Sequence, residues 1–190
     1  MKSLKAQVYL CKMTDYQSTP LCQKHAMQSF WANALLRKIC LDCYGKSAEE
    51  LHLRQNSNGK WQANEGYFSV SHSGSYLAVA TSSTPVGLDL QKCTNVDMRN
   101  VARRFFTQRE FLAWEQSQNK RDEFFFVWCK KEALWKSLDV QPPTTSAVET
   151  SDAQFLLQKL VFDGEIYYLA VTQDAEITFL QNFNVTKTVE

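Results

Sequence analysis

Hydrophobic positions change their period along this chain, and the changes mark its elements. Residues 6–11 alternate as a half-buried strand does. From about Leu21 the spacing of Phe30, Ala34, Leu35, Ile39 and Leu41 predicts an amphipathic helix that stops near Gly45. Asn58-Gly59 has the composition of a tight hairpin turn, with residues 51–57 and 60–64 expected as its arms. Residues 67–71 and 76–81 read as strands around His72-Ser73-Gly74, and Pro85 opens a third over 86–91. Period two puts Val86, Leu88 and Leu90 on one face of that strand and Asp89 and Gln91 on the other.

Beyond it the period becomes helical. Helices are expected over 96–106, from the capping box Thr107-Gln108-Arg109-Glu110, and over 122–138. Pro142-Pro143 breaks the run, a hairpin over 155–162 and 165–172 turns at Asp163-Gly164, and residues 176–180 can add a strand. Strands and helices fall in both halves, which predicts an α+β fold over a doubly wound parallel sheet. The one seam in composition, Ser82-Ser83-Thr84-Pro85, divides residues 1–84 from 85–190.

Charge and cysteine usage narrow the class. Lysine plus arginine (21) nearly cancel aspartate plus glutamate (20), so no global field favours nucleic acid or an anionic membrane, and any basic site is local. The opening residues lack an unbroken signal-peptide core, and no run of about 18 apolar residues could span a bilayer. A cytoplasmic protein with six reduced cysteines is expected. Cys40 and Cys43 have zinc or redox spacing, but no second such pair exists; two half-buried thiols at a helix end are the simpler reading.

Three segments concentrate charge and small polar residues: 69–75 (SVSHSGS), 86–92 (VGLDLQK) and 127–136 (VWCKKEALWK). A Ser-His turn is common without function, yet its backbone N–H groups and imidazole can also hold phosphate oxygens. Asp89 could be a solvent-facing carboxylate, but Gly87 on the same face removes a side chain, as if something approaches the backbone there. Glu132 and Lys136 are spaced for a surface ion pair, although Phe124, Val127, Trp128, Leu134 and Trp135 make their helix apolar around much of its circumference. Two carboxylates, several lysines and a Ser-His turn suit magnesium-assisted chemistry at a phosphate ester, because magnesium takes few carboxylates and leaves its other positions to water and phosphate.

These segments resemble, in order and spacing, the hallmarks of the Sfp-type phosphopantetheinyl transferases. The matches are Ser71-His72-Ser73, Gly87-Leu88-Asp89-Leu90-Gln91, and Trp128 with Lys131-Glu132-Ala133 and Lys136; Arg104-Phe105-Phe106 and Glu110 fit the run between them. The resemblance implies a pseudo-dimer of two similar α+β halves with coenzyme A in the cleft between them. It also implies a magnesium-dependent transfer of phosphopantetheine from coenzyme A to a serine of an apo acyl or peptidyl carrier protein. Asp89 and Glu132 would bind magnesium, with Gln91 where many members have a third acidic ligand; Glu132 would also take the serine proton. Lys136 would contact the pyrophosphate, and His72 and Arg37 the 3′-phosphate, with Ser71 in the same turn. Lys24 and Lys60 would be further nucleotide contacts. The partners implied are the carrier and coenzyme A, met by a monomer, without nucleic acid or membrane. Gln91 also motivates an alternative, an inactive relative that binds carriers without modifying them. A magnesium-dependent phosphodiesterase or nucleotide hydrolase would fit the residues but not the ordered motifs.

Overall fold

The computed structural model describes residues 5–56, 59–138, 142–181 and 183. In chain order the elements are β1 (Ala6–Lys12), α1 (Leu21–Tyr44), β2 (Arg54–Gln55), β3 (Trp61–Gln62), β4 (Tyr67–Ser73), β5 (Tyr76–Ser82), β6 (Leu88–Lys92), α2 (Met98–Phe105), α3 (Gln108–Gln116), α4 (Lys120–Ser137), a 3₁₀ turn (Thr145–Ala147), β7 (Leu156–Phe162), β8 (Glu165–Val171) and β9 (Ala175–Leu180). The fold is mixed α+β, as expected.

The chain divides into two compact units. One runs through Pro85 and takes the chain back from Ala175; the other is Val86–Asp174. The seam lies within a residue of the expected boundary, but the expected second half, 85–190, is corrected at its end. β9 pairs parallel with β1 from Ala6↔Ala175 to Cys11↔Leu180, covering what would otherwise be an open edge of the first sheet.

In the first unit six strands lie in the order β2-β3-β4-β5-β1-β9. Every residue of β5 is buried, which its run of Leu77, Ala78, Val79 and Ala80 permits without exposing apolar surface. Helix α1 packs its Trp31, Leu35 and Ile39 row, together with Ala32, Leu36 and Cys40, against Leu77, Val79 and Phe68. Burial of each such Leu or Ile side chain stabilises the unit by about 1.5–3 kcal/mol. Phe30 and Leu41, expected on this face, are 51% and 55% exposed. They flank the i, i+4 rows that meet the sheet, so only the inner part of the expected stripe is core. Gly45 ends the helix in the left-handed conformation (φ 64°), its N–H returning to the Cys40 and Leu41 carbonyls. At the hairpin after it Asn58 lies outside the described residues; the Asn56 N–H donates to the Lys60 carbonyl at 2.9 Å. Gly59, at φ 78°, takes the left-handed conformation that glycine adopts without steric cost.

In the second unit β6-β8-β7 form an antiparallel sheet under three helices. The Thr107–Glu110 capping box is present with both its hydrogen bonds, and Asn119 caps α4 through the Asp122 N–H. The β7–β8 turn is at Asp163-Gly164, with φ 51° and 75°, the pair of positive values a type I′ turn requires. The core joins Phe106, Trp114, Phe124, Phe125, Val127 and Cys129 to Tyr168 and Ala170 of β8. Each unit runs strand, helix, hairpin, and in each the hairpin's second strand pairs antiparallel with the opening strand, β5 with β1 and β8 with β6.

Candidate active site

The second unit builds its polar centre where β6 lies under α4. Gly87 sets that approach: a Cβ there would stand 1.8 Å from the Ala133 carbonyl oxygen and 2.8 Å from the Ser137 nitrogen. What comes close to the backbone at Gly87 is therefore the α4 backbone. Two residues on, Asp89 is only 5% exposed, not solvent-facing, and its Oδ1 accepts a hydrogen bond from Lys136 Nζ at 2.7 Å. The sequence offered Glu132 as the i, i+4 partner of Lys136, yet the lysine reaches across to the strand.

Glu132, half-buried one turn before Lys136, has its pKa raised. Burial is the main cause, the Asp89 charge adds to it, and the Lys136 ammonium opposes it. Cys129, fully buried and three residues before Glu132, has its thiol pushed well above the ordinary range by burial and then by Asp89. Its Sγ donates to the Tyr168 carbonyl at 3.5 Å. Two carboxylates and one ammonium thus share a small, poorly solvated volume.

Gln91, on the same strand face as Asp89, donates from Nε2 to the Lys92 carbonyl at 3.2 Å. Its side chain also lines a cavity of about 150 Å³ with Val96, Val101, Phe124, Phe125 and Trp128. Trp128 is held there edge-on to Phe105 at 5.3 Å between ring centres.

Lys131, next to Glu132 in sequence, points the other way. It is 1% exposed and pairs with Glu110 Oε2 at 2.7 Å while also donating to the Val148 carbonyl. Glu110 Oε1 accepts from the Thr150 N–H at 3.0 Å and hydroxyl at 2.7 Å, and Oε2 from the Thr107 N–H at 2.8 Å. This buried cluster ties α4 to α3 and to the chain before β7. Sequence reasoning placed both residues in the motif run without pairing them; the available signal was a lysine on the buried stripe of Phe124 and Val127.

In the first unit His72 and Ser71 belong to a strand. β4 continues through Ser73, and the turn is only Gly74-Ser75, with Gly74 at φ 54°. Ser71 is buried and His72 exposed, because successive side chains take opposite faces of β4. His72 shares the α1 side of the sheet with Phe68 and Val70, while Ser71 faces away with Ser69. Arg37, on α1, donates from Nε to Asn33 Oδ1 at 2.8 Å and pairs with Glu49, whose pKa it lowers. Lys24 lies over the Tyr16 ring at 4.9 Å, and Lys60 is half-buried beside the β2–β3 loop. Cys40 is buried and Cys43 exposed with its Sγ 3.0 Å from Tyr9 Oη, so the two thiols have different surroundings.

Among the described residues no three His, Cys, Asp or Glu side chains are gathered as a metal-ion cluster. The donor set at Asp89 and Glu132 nonetheless fits magnesium, which is commonly held by one or two carboxylates and completes its shell with water and substrate phosphate. Burial raises the Glu132 pKa most, and the Asp89 repulsion that adds to it is what such an ion would relieve. Among the described residues no helix is long and apolar enough to cross a membrane.

Residues 85–177 match the family model of the 4'-phosphopantetheinyl transferase superfamily. The chain is 29% identical over 119 residues to the 4'-phosphopantetheinyl transferase gsp of Aneurinibacillus migulanus, covering 60% of this chain and 49% of that protein. It is 29% identical over 116 residues to psf-1 of Bacillus pumilus (58% and 49%) and 24% identical over 119 residues to Sfp of Bacillus subtilis strain 168 (60% and 53%), both also 4'-phosphopantetheinyl transferases. The chain spans about half the length of these curated relatives.

Proposed function

We propose that the chain, whose residues 85–177 match the model of the 4'-phosphopantetheinyl transferase superfamily, belongs to that superfamily and moves the phosphopantetheine arm of coenzyme A onto a serine of an apo acyl or peptidyl carrier protein. The observation that carries this reading is the meeting of Asp89 of β6 with Glu132 and Lys136 of α4, inside the matched segment.

In this reading Asp89 and Glu132 hold a magnesium ion, with the Gln91 carboxamide oxygen or a water beside them. When bound, the ion neutralises charge on the diphosphate and on the departing phosphate. Lys136 binds the diphosphate oxygens and orients the phosphorus toward the acceptor. Glu132 accepts the serine proton as Oγ attacks. A serine–phosphate bond forms, the bond between the two phosphates breaks, and adenosine 3′,5′-bisphosphate leaves with the displaced oxygen. His72 and Arg37 hold the 3′-phosphate; Arg37 must exchange Glu49 for it. Ser71, Lys24 and Lys60 are further contacts to the nucleotide, Ser71 through its backbone because its side chain takes the face opposite His72. The recurrence of strand, helix and hairpin in each unit supports a pseudo-dimeric fold.

Incubation with coenzyme A, magnesium and an apo-carrier, followed by mass spectrometry of the carrier, tests the proposal. A gain of one phosphopantetheine supports it. Unmodified carrier, whether bound to the protein or beside degraded coenzyme A, overturns it.

A further inference from the structure

We propose that Lys136 and a divalent cation compete for Asp89, and that the coenzyme A diphosphate resolves the competition by drawing the ammonium onto itself. The inference rests on the transferase reading and deepens it, by making cation and coenzyme A bind with positive coupling.

The geometry makes Lys136 the displaceable partner. Its Nζ lies 2.7 Å from Asp89 Oδ1, and the side chains are 24% and 7% exposed respectively. Asp89 is fixed on a strand whose neighbour at Gly87 is pressed against α4, so the carboxylate cannot follow a ligand outward. Lysine is a point charge on a flexible stem that already reaches solvent. Glu132 supplies the second carboxylate one turn away on the same helix. An ion held by Asp89 and Glu132 would set two positive charges beside the Lys136 ammonium, and in a poorly solvated volume that repulsion is strong. Lys136 must then leave Asp89. A diphosphate offers the departing ammonium a strong anion; each ligand thereby removes an obstacle to the other, and the coupling is reciprocal.

The sign of one substitution separates this from a lysine that merely binds phosphate. Lys136→Met should tighten Mn²⁺ binding in the absence of coenzyme A by about tenfold, the factor associated with losing one charge-assisted hydrogen bond. It should also shrink the enhancement that coenzyme A gives to Mn²⁺ binding. Lys136→Arg, still a cation, should keep the weak binding of the parent chain. Titration of the full chain with Mn²⁺, followed by electron paramagnetic resonance at pH 8 with and without coenzyme A, reads all of these. Unchanged or weaker Mn²⁺ binding by Lys136→Met alone would overturn the competition while leaving the transferase reading intact. A parent chain that binds no Mn²⁺ even with coenzyme A would overturn both. If the methionine variant does not fold, the Lys136 ammonium resonance of the ¹⁵N-labelled parent chain serves instead: saturating Mg²⁺ should move it, and an unmoved resonance in a chain that binds Mg²⁺ refutes the displacement.

Discussion

Gly87 and Ala133 are separated by less than a methyl group: a Cβ on the glycine would lie 1.8 Å from the alanine carbonyl oxygen. Neither backbone can yield without lifting α4 from β6. Gly87→Ala should therefore cost about 3 kcal/mol or more and weaken transfer, because Asp89 and Lys136 separate with the helix. Urea unfolding and the carrier assay measure the two effects; stability within about 0.5 kcal/mol of the parent chain would show that the approach is looser than the structure has it.

Glu132 is held at a stability cost. Its raised pKa means that the folded chain binds this proton more tightly than the unfolded chain, so stability falls as pH rises through the interval between the two pKa values. Glu132→Gln should thus raise Tm at neutral pH, by about 2–4 °C for each kcal/mol recovered, while transfer falls by at least about 100-fold. Calorimetry and the carrier assay together check the opposite signs. Loss of both stability and activity would mark the residue as structural.

Lys131 tests the buried pair. Replacing it with methionine leaves the Glu110 carboxylate, 2% exposed, without its ammonium and should cost about 3–5 kcal/mol. The same replacement at an exposed pair such as Arg109–Asp152 should change stability by about 1 kcal/mol at most. Urea midpoints of the two variants should differ accordingly, and equal midpoints would contradict the burial.

Glu149 predicts an acid limb. Burial works to raise its pKa, but hydrogen bonds from the Ser151 hydroxyl and N–H and from Thr107 outweigh it and hold the carboxyl at about 2. A depressed folded pKa contributes stability that is present above the ordinary carboxylate value and lost as pH falls toward about 2. Glu149→Gln should flatten the decline of Tm between about pH 4.5 and 2. An unaltered slope would mean these hydrogen bonds do not persist in solution.

His72 can be tested by removing the group it is proposed to hold. His72→Ala should raise KM for coenzyme A by about tenfold, the factor for one hydrogen bond to a charged group, and leave KM for 3′-dephospho-coenzyme A nearly unchanged. An equal rise for both substrates would place the imidazole elsewhere.

What the sequence determined by itself is local. Positive φ at Asp163-Gly164, the Thr107–Glu110 box and the Gly45 stop each depend on a few adjacent residues, and each is where the pattern predicts it. The resemblance carried by residues 71–136 likewise needed only order and spacing. Tertiary structure decided which groups face one another. Lys136 had Glu132 four residues away, yet its hydrogen bond goes to Asp89, 47 positions distant. Lys131 became a buried structural charge although Glu132 beside it faces the polar centre. The strand at 175–180 was legible, but its partner β1 was not. Ser71 and His72, neighbours in one motif, were divided between two faces once the turn proved to be a strand. The reason is common to all four: turn and cap energies are set within a few residues, whereas charge pairing and burial follow distances in space that only the packed chain defines.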